Sequence, residues 1–224
     1  IFTDEAKAQV AHSDYAINDY NYMNTRSRYS GDVVIPASIT YNGNTYVVTG
    51  IGSNAFYQCA DLTSVEIPNT VTAIYTAAFY DCWNMTTISL PNSLTEISNS
   101  AFKGCSALTS VTIPDNVKNI YSNVFSGCSS LASIDIPNSM TSIGEYAFSG
   151  CHSLASIQLP SQLETIENRA FQGCTDLGSI TIPNSVKQIY KDAFQGCIFQ
   201  KDSLINNSSL TYSANWGATL CDEQ

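Results

Sequence analysis

The chain repeats itself every 23 residues, and few folds survive that constraint. Cys59, Cys82, Cys105, Cys128, Cys151, Cys174 and Cys197 stand one period apart. Phe56, Phe79, Phe102, Phe125, Phe148, Phe171 and Phe194 keep the same step, three residues ahead of each Cys. An Ala precedes every Phe in the series except Phe125, where Val124 stands. The consensus I-x-x-x-A-F-x-x-C-x-x-L-x-S-V-x-I-P-x-S-V-x-x closes on the Ile of the next unit. A unit this small cannot bury its apolar face alone, whereas stacked copies bury one continuous core.

Each unit has two physical parts. Leu62, Val65 and Ile67 alternate with polar residues, the period-2 mark of a half-buried strand. Met85, Ile88 and Leu90 repeat the pattern, as do Leu108, Val111 and Ile113, on to Leu177, Ile180 and Ile182. The other part, such as Ile143-Gly144-Glu145-Tyr146-Ala147-Phe148-Ser149-Gly150-Cys151, spaces its apolar residues by 4, 5 and 8. That spacing predicts a short helical turn with Gly as its stop. The expectation is an α/β solenoid, one curved right-handed coil with short helical turns on one side and a parallel concave sheet on the other. Its strands are predicted near 64–67, 87–90, 110–113, 133–136, 156–159 and 179–182. At ~4.8 Å between strands, such a sheet is on the order of 30 Å long.

All seven prolines, Pro36, Pro68, Pro91, Pro114, Pro137, Pro160 and Pro183, fall directly after a strand block. Proline cannot donate to a ladder and so marks where pairing stops. Pro36 closes Val33-Val34-Ile35, so an extra rung precedes the first Phe-Cys motif. Tyr41-Asn42-Gly43-Asn44-Thr45-Tyr46 then carries an Asn-Gly hairpin signal. The chain therefore divides into an N-terminal segment and capping rung (1–50), the repeats (51–197) and a C-terminal cap (198–224), within one continuous domain. In the cap Gln200 and Ser203 occupy the Leu and Val slots, and only Ile205 keeps its place. Residues 1–14 read either as a short helix over Asp4–Val10 or as a frayed tail.

Composition narrows the function classes. The net charge is −10, from nine Lys and Arg against nineteen Asp and Glu. A phosphate-tracking protein needs a basic stripe, so nucleic acid is not an expected partner. No apolar run approaches the ~20 residues of a spanning helix, so membrane insertion is not expected. The chain opens Ile1-Phe2-Thr3-Asp4 with neither a basic nor an apolar leader region. Any export signal is therefore removed or lies outside this sequence.

The cysteines read as structure. Seven in one column have parallel Cβ vectors roughly 5 Å apart, whereas a bridge needs ~3.8 Å. They are expected to be small core hydrophobes behind each Phe. Cys221 lies outside the column and is either a free thiol or part of a bridge within the C-terminal cap. There is no C-x-x-C and no Cys-His cluster, so no metal site is predicted. His12 and His152 are the only histidines, and neither has a distinctive nucleophile beside it. The residues offer no catalytic constellation and no cofactor motif.

What remains is surface. Outward strand positions run Ser64, Thr87, Ser110, Ser133, Ser156, Ser179 in one column and Glu66, Ser89, Thr112, Asp135, Gln158, Thr181 in the next. From these columns Ser64, Glu66, Thr112, Asp135, Gln158 and Thr181 are the candidate binding residues of a small, polar, mildly acidic face. Tyr57, Tyr75, Tyr80, Trp83, Tyr121, Tyr146 and Tyr190 gather beside the turn. They serve either as rings over the neighbouring repeat's backbone or as an aromatic contact edge. Tyr80 with Trp83 is the one pair that could grip a sugar.

The unit running from Ile143-Gly144 through Pro160, with the lead-in hairpin Tyr41–Val48, resembles the BspA-like leucine-rich-repeat family over about residues 30–197. The resemblance implies a right-handed leucine-rich-repeat horseshoe in a bacterial secreted or cell-surface protein, several relatives being adhesins. It implies no catalytic residue and no cofactor. The expected function is a non-enzymatic binding scaffold contacting an extracellular protein or cell-surface ligand. The alternative is a carbohydrate-capture module serving a polysaccharide-processing system.

Overall fold

The computed structural model describes residues 29–200 and 202–221, which form a solenoid of stacked parallel turns. The helix considered over Asp4–Val10 and His12 lie outside the described residues. Strands form at Leu62–Glu66, Thr87–Ser89, Ser110–Thr112, Ser133–Asp135 and Ile180–Ile182. Pairing runs parallel from rung to rung, Val65 opposite Ile88 and Val111 opposite Ile134. Val65, Val111, Ile134 and Ile180 are buried, while Glu66, Thr112, Asp135 and Thr181 face outward.

One expected strand is missing. Residues 156–159 bury Ile157 and Leu159 but join no ladder. Apolar alternation decides which side chains point inward; it does not bring the backbone within reach of its neighbours. A second set of parallel strands, which the period-2 pattern did not foretell, is two residues long in each rung. It comprises Gly50–Ile51, Ala73–Ile74 and Glu96–Ile97, then Asn119–Ile120, Ser142–Ile143, Thr165–Ile166 and Gln188–Ile189.

The predicted helical turns are absent; the only helix among the described residues is the single 3-10 turn Ala214–Trp216. Around each Phe the chain makes consecutive tight turns instead, with two left-handed residues four apart. These pairs are Asn54 and Gln58, Ala77 and Asp81, Ser100 and Gly104, Asn123 and Gly127, and so on to Asp192 and Gly196. A left-handed residue breaks the right-handed helix and re-aims the following amides. Within one rung Tyr80 N–H donates to Ala77 O at 3.1 Å. The alternate amides cross to the next rung, Phe79 N–H to Ala101 O at 2.8 Å and Asp81 N–H to Lys103 O at 2.7 Å. The turn side is thus a third backbone ladder.

Behind it lies the core. Rings Phe56 through Phe194 stack in one column, with centroids 4.9 Å apart at the first pair and 5.7 Å at Phe125–Phe148. The thiols are more than filler. Cys82 Sγ donates to Phe56 O at 3.0 Å, Cys128 Sγ to Phe102 O at 3.2 Å and Cys197 Sγ to Phe171 O at 3.1 Å. Each carbonyl so bonded belongs to the preceding rung, so a thiol ties each turn to the one before it. Among the described residues no disulfide joins the cysteines, and the seven columnar thiols are buried. Burial pushes the Cys151 thiol up to about 12 and holds Cys105 and Cys128 above the usual thiol range.

Both ends of the column are covered. Gly31–Val34 pairs in parallel with Leu62–Glu66, forming the extra rung. Ser38–Tyr41 and Asn44–Val47 form an antiparallel hairpin about Asn42 and Gly43, at φ 48° and 78°. Positive φ at both turn positions is the type I′ geometry that Asn-Gly favours. Tyr29 packs on Phe56 at 4.9 Å. At the other end Phe199 meets Phe194 edge-on at 6.0 Å, and Trp216 O accepts the Phe194 N–H at 2.7 Å. The C-terminal register departs from expectation: Leu204, not Ser203, pairs with Ile180. That shift of one residue turns Ile205 outward, 48% exposed, so Ile205 does not keep the inward slot that the 23-residue step assigns it.

Candidate binding face

The outward strand columns form an open face, and the candidate residues spread over it one rung at a time. Ser64 is half-buried; Glu66, Thr112, Asp135, Gln158 and Thr181 are exposed. They do not converge on one cleft. Two local hydrogen-bond sets organise the face. Thr112 Oγ1 donates to Asp135 Oδ2 at 3.2 Å. Ser64 Oγ and Thr63 Oγ1 both donate to Asp32 Oδ1, at 2.6 and 2.8 Å. These two hydroxyls, Ser64 foremost, hold the Asp32 carboxyl below the usual carboxylate range. Asp32, which is not one of the outward-column candidates, sits in the extra rung directly opposite Ser64. Its place ahead of Val33-Val34-Ile35-Pro36 was the available signal. Gln158 lies in the stretch that forms no strand, and Thr181 faces Ile205 where Ile180–Ile182 pairs in parallel with Leu204–Asn206.

The aromatic edge divides. Tyr80 stacks on Tyr57 at 4.9 Å and 15°, and the Lys103 ammonium lies 5.5 Å from its centroid. These three residues share one slot in successive rungs, so Tyr80 is sandwiched and neither ring face is open to a sugar. Trp83 is 38% exposed. The Tyr75 ring lies over the neighbouring backbone, its Cε2 3.0 Å from where a Cβ on Gly50 would sit. The Arg169 guanidinium covers Tyr146 and bonds its hydroxyl. Tyr121 and Tyr190 stay exposed.

One groove of about 220 Å³ opens beside the strands, lined by Ile88, Ser89, Leu90, Asn92, Ser110, Val111, Thr112 and Pro114. Of the candidate residues only Thr112 lines it. Among the described residues no group of His, Cys, Asp and Glu side chains comes together to hold a metal. No described helix is long and apolar enough to cross a membrane.

The solved structures that resemble this fold include a leucine-rich cell surface protein from Faecalibacterium prausnitzii, 36% identical with a TM-score of 0.73. That match covers 80% of this chain and 48% of the other, so the chain spans about half the length of that relative. A leucine-rich repeat protein from Bacteroides ovatus is 27% identical, TM-score 0.62, over 86% of this chain and 66% of its own. The T. pallidum leucine-rich repeat protein is 30% identical, TM-score 0.62, over 76% of this chain and 74% of its own. No curated protein matches the chain significantly. The model of the BspA-type leucine-rich repeat region matches in six copies across residues 49–162 and 72–201. With that period, this stacked fold and these relatives, the chain belongs to the BspA-type leucine-rich-repeat family.

Proposed function

We propose that this chain is a non-enzymatic scaffold, secreted or on the cell surface, that binds an extracellular protein or cell-surface ligand in the manner of an adhesin. The carrying observation is the outward strand face: small, polar and repeated from rung to rung on a backbone fixed by its turn side. In this reading the face is the concave side of a right-handed horseshoe. An extended partner gains a little at each rung through residues such as Glu66, Asp135, Gln158 and Thr181. The cell-surface relative from Faecalibacterium supports the location. The sandwiching of Tyr80 weighs against a sugar grip built from Tyr80 and Trp83. A parallel screen of the folded chain against matrix proteins and glycans tests the reading. With a partner in hand, deletion of one internal 23-residue repeat is expected to weaken binding in a graded way. Unchanged binding in that deletion, with loss in Trp83→Ala, rejects it.

A further inference from the structure

Both strand ladders break at the same rung interface. Among the described residues Thr87–Ser89 does not pair with Ser110–Thr112, and Glu96–Ile97 does not pair with Asn119–Ile120. The turn side of that interface stays closed: Ser100, Phe102 and Gly104 N–H groups reach Ser122, Val124 and Ser126 carbonyls at 3.0, 3.0 and 2.8 Å. Ile88 and Leu90 are half-buried there, in slots where Val65, Ile67, Val111 and Ile113 are buried. The groove of about 220 Å³ lies on this seam.

We propose that the seam is a binding subsite for one uncharged polyhydroxylated ring, a single hexopyranose unit. Three observations select that ligand. Its size, below the roughly 300–1,000 Å³ of sites for drug-sized ligands, suits a single ring. Its lining holds no charged side chain on a chain of net charge −10, so it offers an ion nothing. Its chemistry is two-sided. The half-buried Ile88 and Leu90 give an aliphatic floor for the C–H face of a pyranose, and Ser89 and Ser110 give hydroxyls for its edge. A wholly apolar guest would leave those hydroxyls dry and unpaired, at a cost in affinity. An inserted peptide strand does not fit. The seam strands have Cα atoms within 8 Å of each other, and a strand between them needs about twice the ~4.8 Å spacing. This site shares Thr112 with the rung-by-rung protein face and does not include Trp83.

The test is a two-dimensional amide NMR titration of the whole chain with the methyl glycosides of glucose, galactose and mannose, and separately with short neutral peptides. Saturable shifts confined to residues 88–92 and 110–114 are expected with at least one glycoside, at concentrations up to about 100 mM where even weak sites fill. Ser89→Phe and Ser110→Phe fill the groove and are expected to weaken binding at least tenfold, while the exposed Ala132→Phe leaves it unchanged. The dispersion of each spectrum confirms folding, and the two filling variants back each other. Absence of saturable shifts with every glycoside overturns the proposal. So does undiminished binding in both filling variants, or saturation of the groove by the peptides alone.

Discussion

The turn side and the strand side of this solenoid are built from the same repeats, yet they differ in continuity. On the turn side every rung is joined to the next by alternate amides, by a stacked Phe ring and, from Cys82 onward, by a thiol donating to the rung before. On the strand side the pairing falls into separate pieces, and residues 156–159 join none. The side with the most uniform sequence is thus the continuous one. Holding the stack together falls to Phe, Cys and the left-handed turn residues.

The largest test of this contrast is Phe125→Ala. It removes a fully buried ring from mid-column and is expected to cost about 3–5 kcal/mol in denaturant unfolding. Ile88→Ala, at a half-buried strand position, should cost only about 1–2 kcal/mol, below the range of fully buried sites. Equal losses would erase the distinction.

Alkaline pH probes the same column. The folded Cys151 pKa of about 12 lies above the 9.0 of an unperturbed thiol, so between those values the native state holds a proton that the unfolded chain releases. The resulting stabilisation is complete below pH 9 and is lost as pH rises toward 12. Thermal melts should show Tm falling over that window, and Cys151→Ala should flatten the fall. A Tm indifferent to pH there would contradict the buried thiols. Cys128→Ala removes the donor to Phe102 O, which still accepts the Cys105 N–H at 3.2 Å, so its cost should be nearer 1 kcal/mol. Thiol titration of the native chain should find at most Cys221. Smallest of all, Gln158→Ala on the strand face should change stability by no more than about 0.5 kcal/mol.

The sequence displayed the period, the inward strand residues, the hairpin and the extra rung because each has a pattern of its own. Alternation marked Val65 and Val111, Asn42-Gly43 marked the hairpin, and Pro36 marked the rung. The helical turns were misread because apolar spacings of 4, 5 and 8 fit a helix and a stack of tight turns equally well. The deciding residues are the left-handed ones. Gly104 through Gly196 were visible as glycines, but their partners at the other slot, Ser100, Asn123, Tyr146, Arg169 and Asp192, share no side-chain chemistry. The two-residue strands such as Ala73–Ile74 are too short to show any alternation. On the candidate face, Thr112 and Asp135 were legible as outward positions and are hydrogen-bonded to each other. The seam beside Thr112 was not legible, because Ile88 and Leu90 fit the consensus as well as their buried counterparts.

Amide hydrogen exchange tests most directly whether the turn side holds the solenoid. The N–H groups of Phe79, Phe102, Phe125 and Phe148 cross between rungs at 2.7–3.0 Å, and the account predicts that they exchange only on global unfolding. The amides of 156–159, which join no ladder, should exchange at least tenfold faster, through local opening. Protection of those amides equal to or above that of the Phe amides would contradict the account.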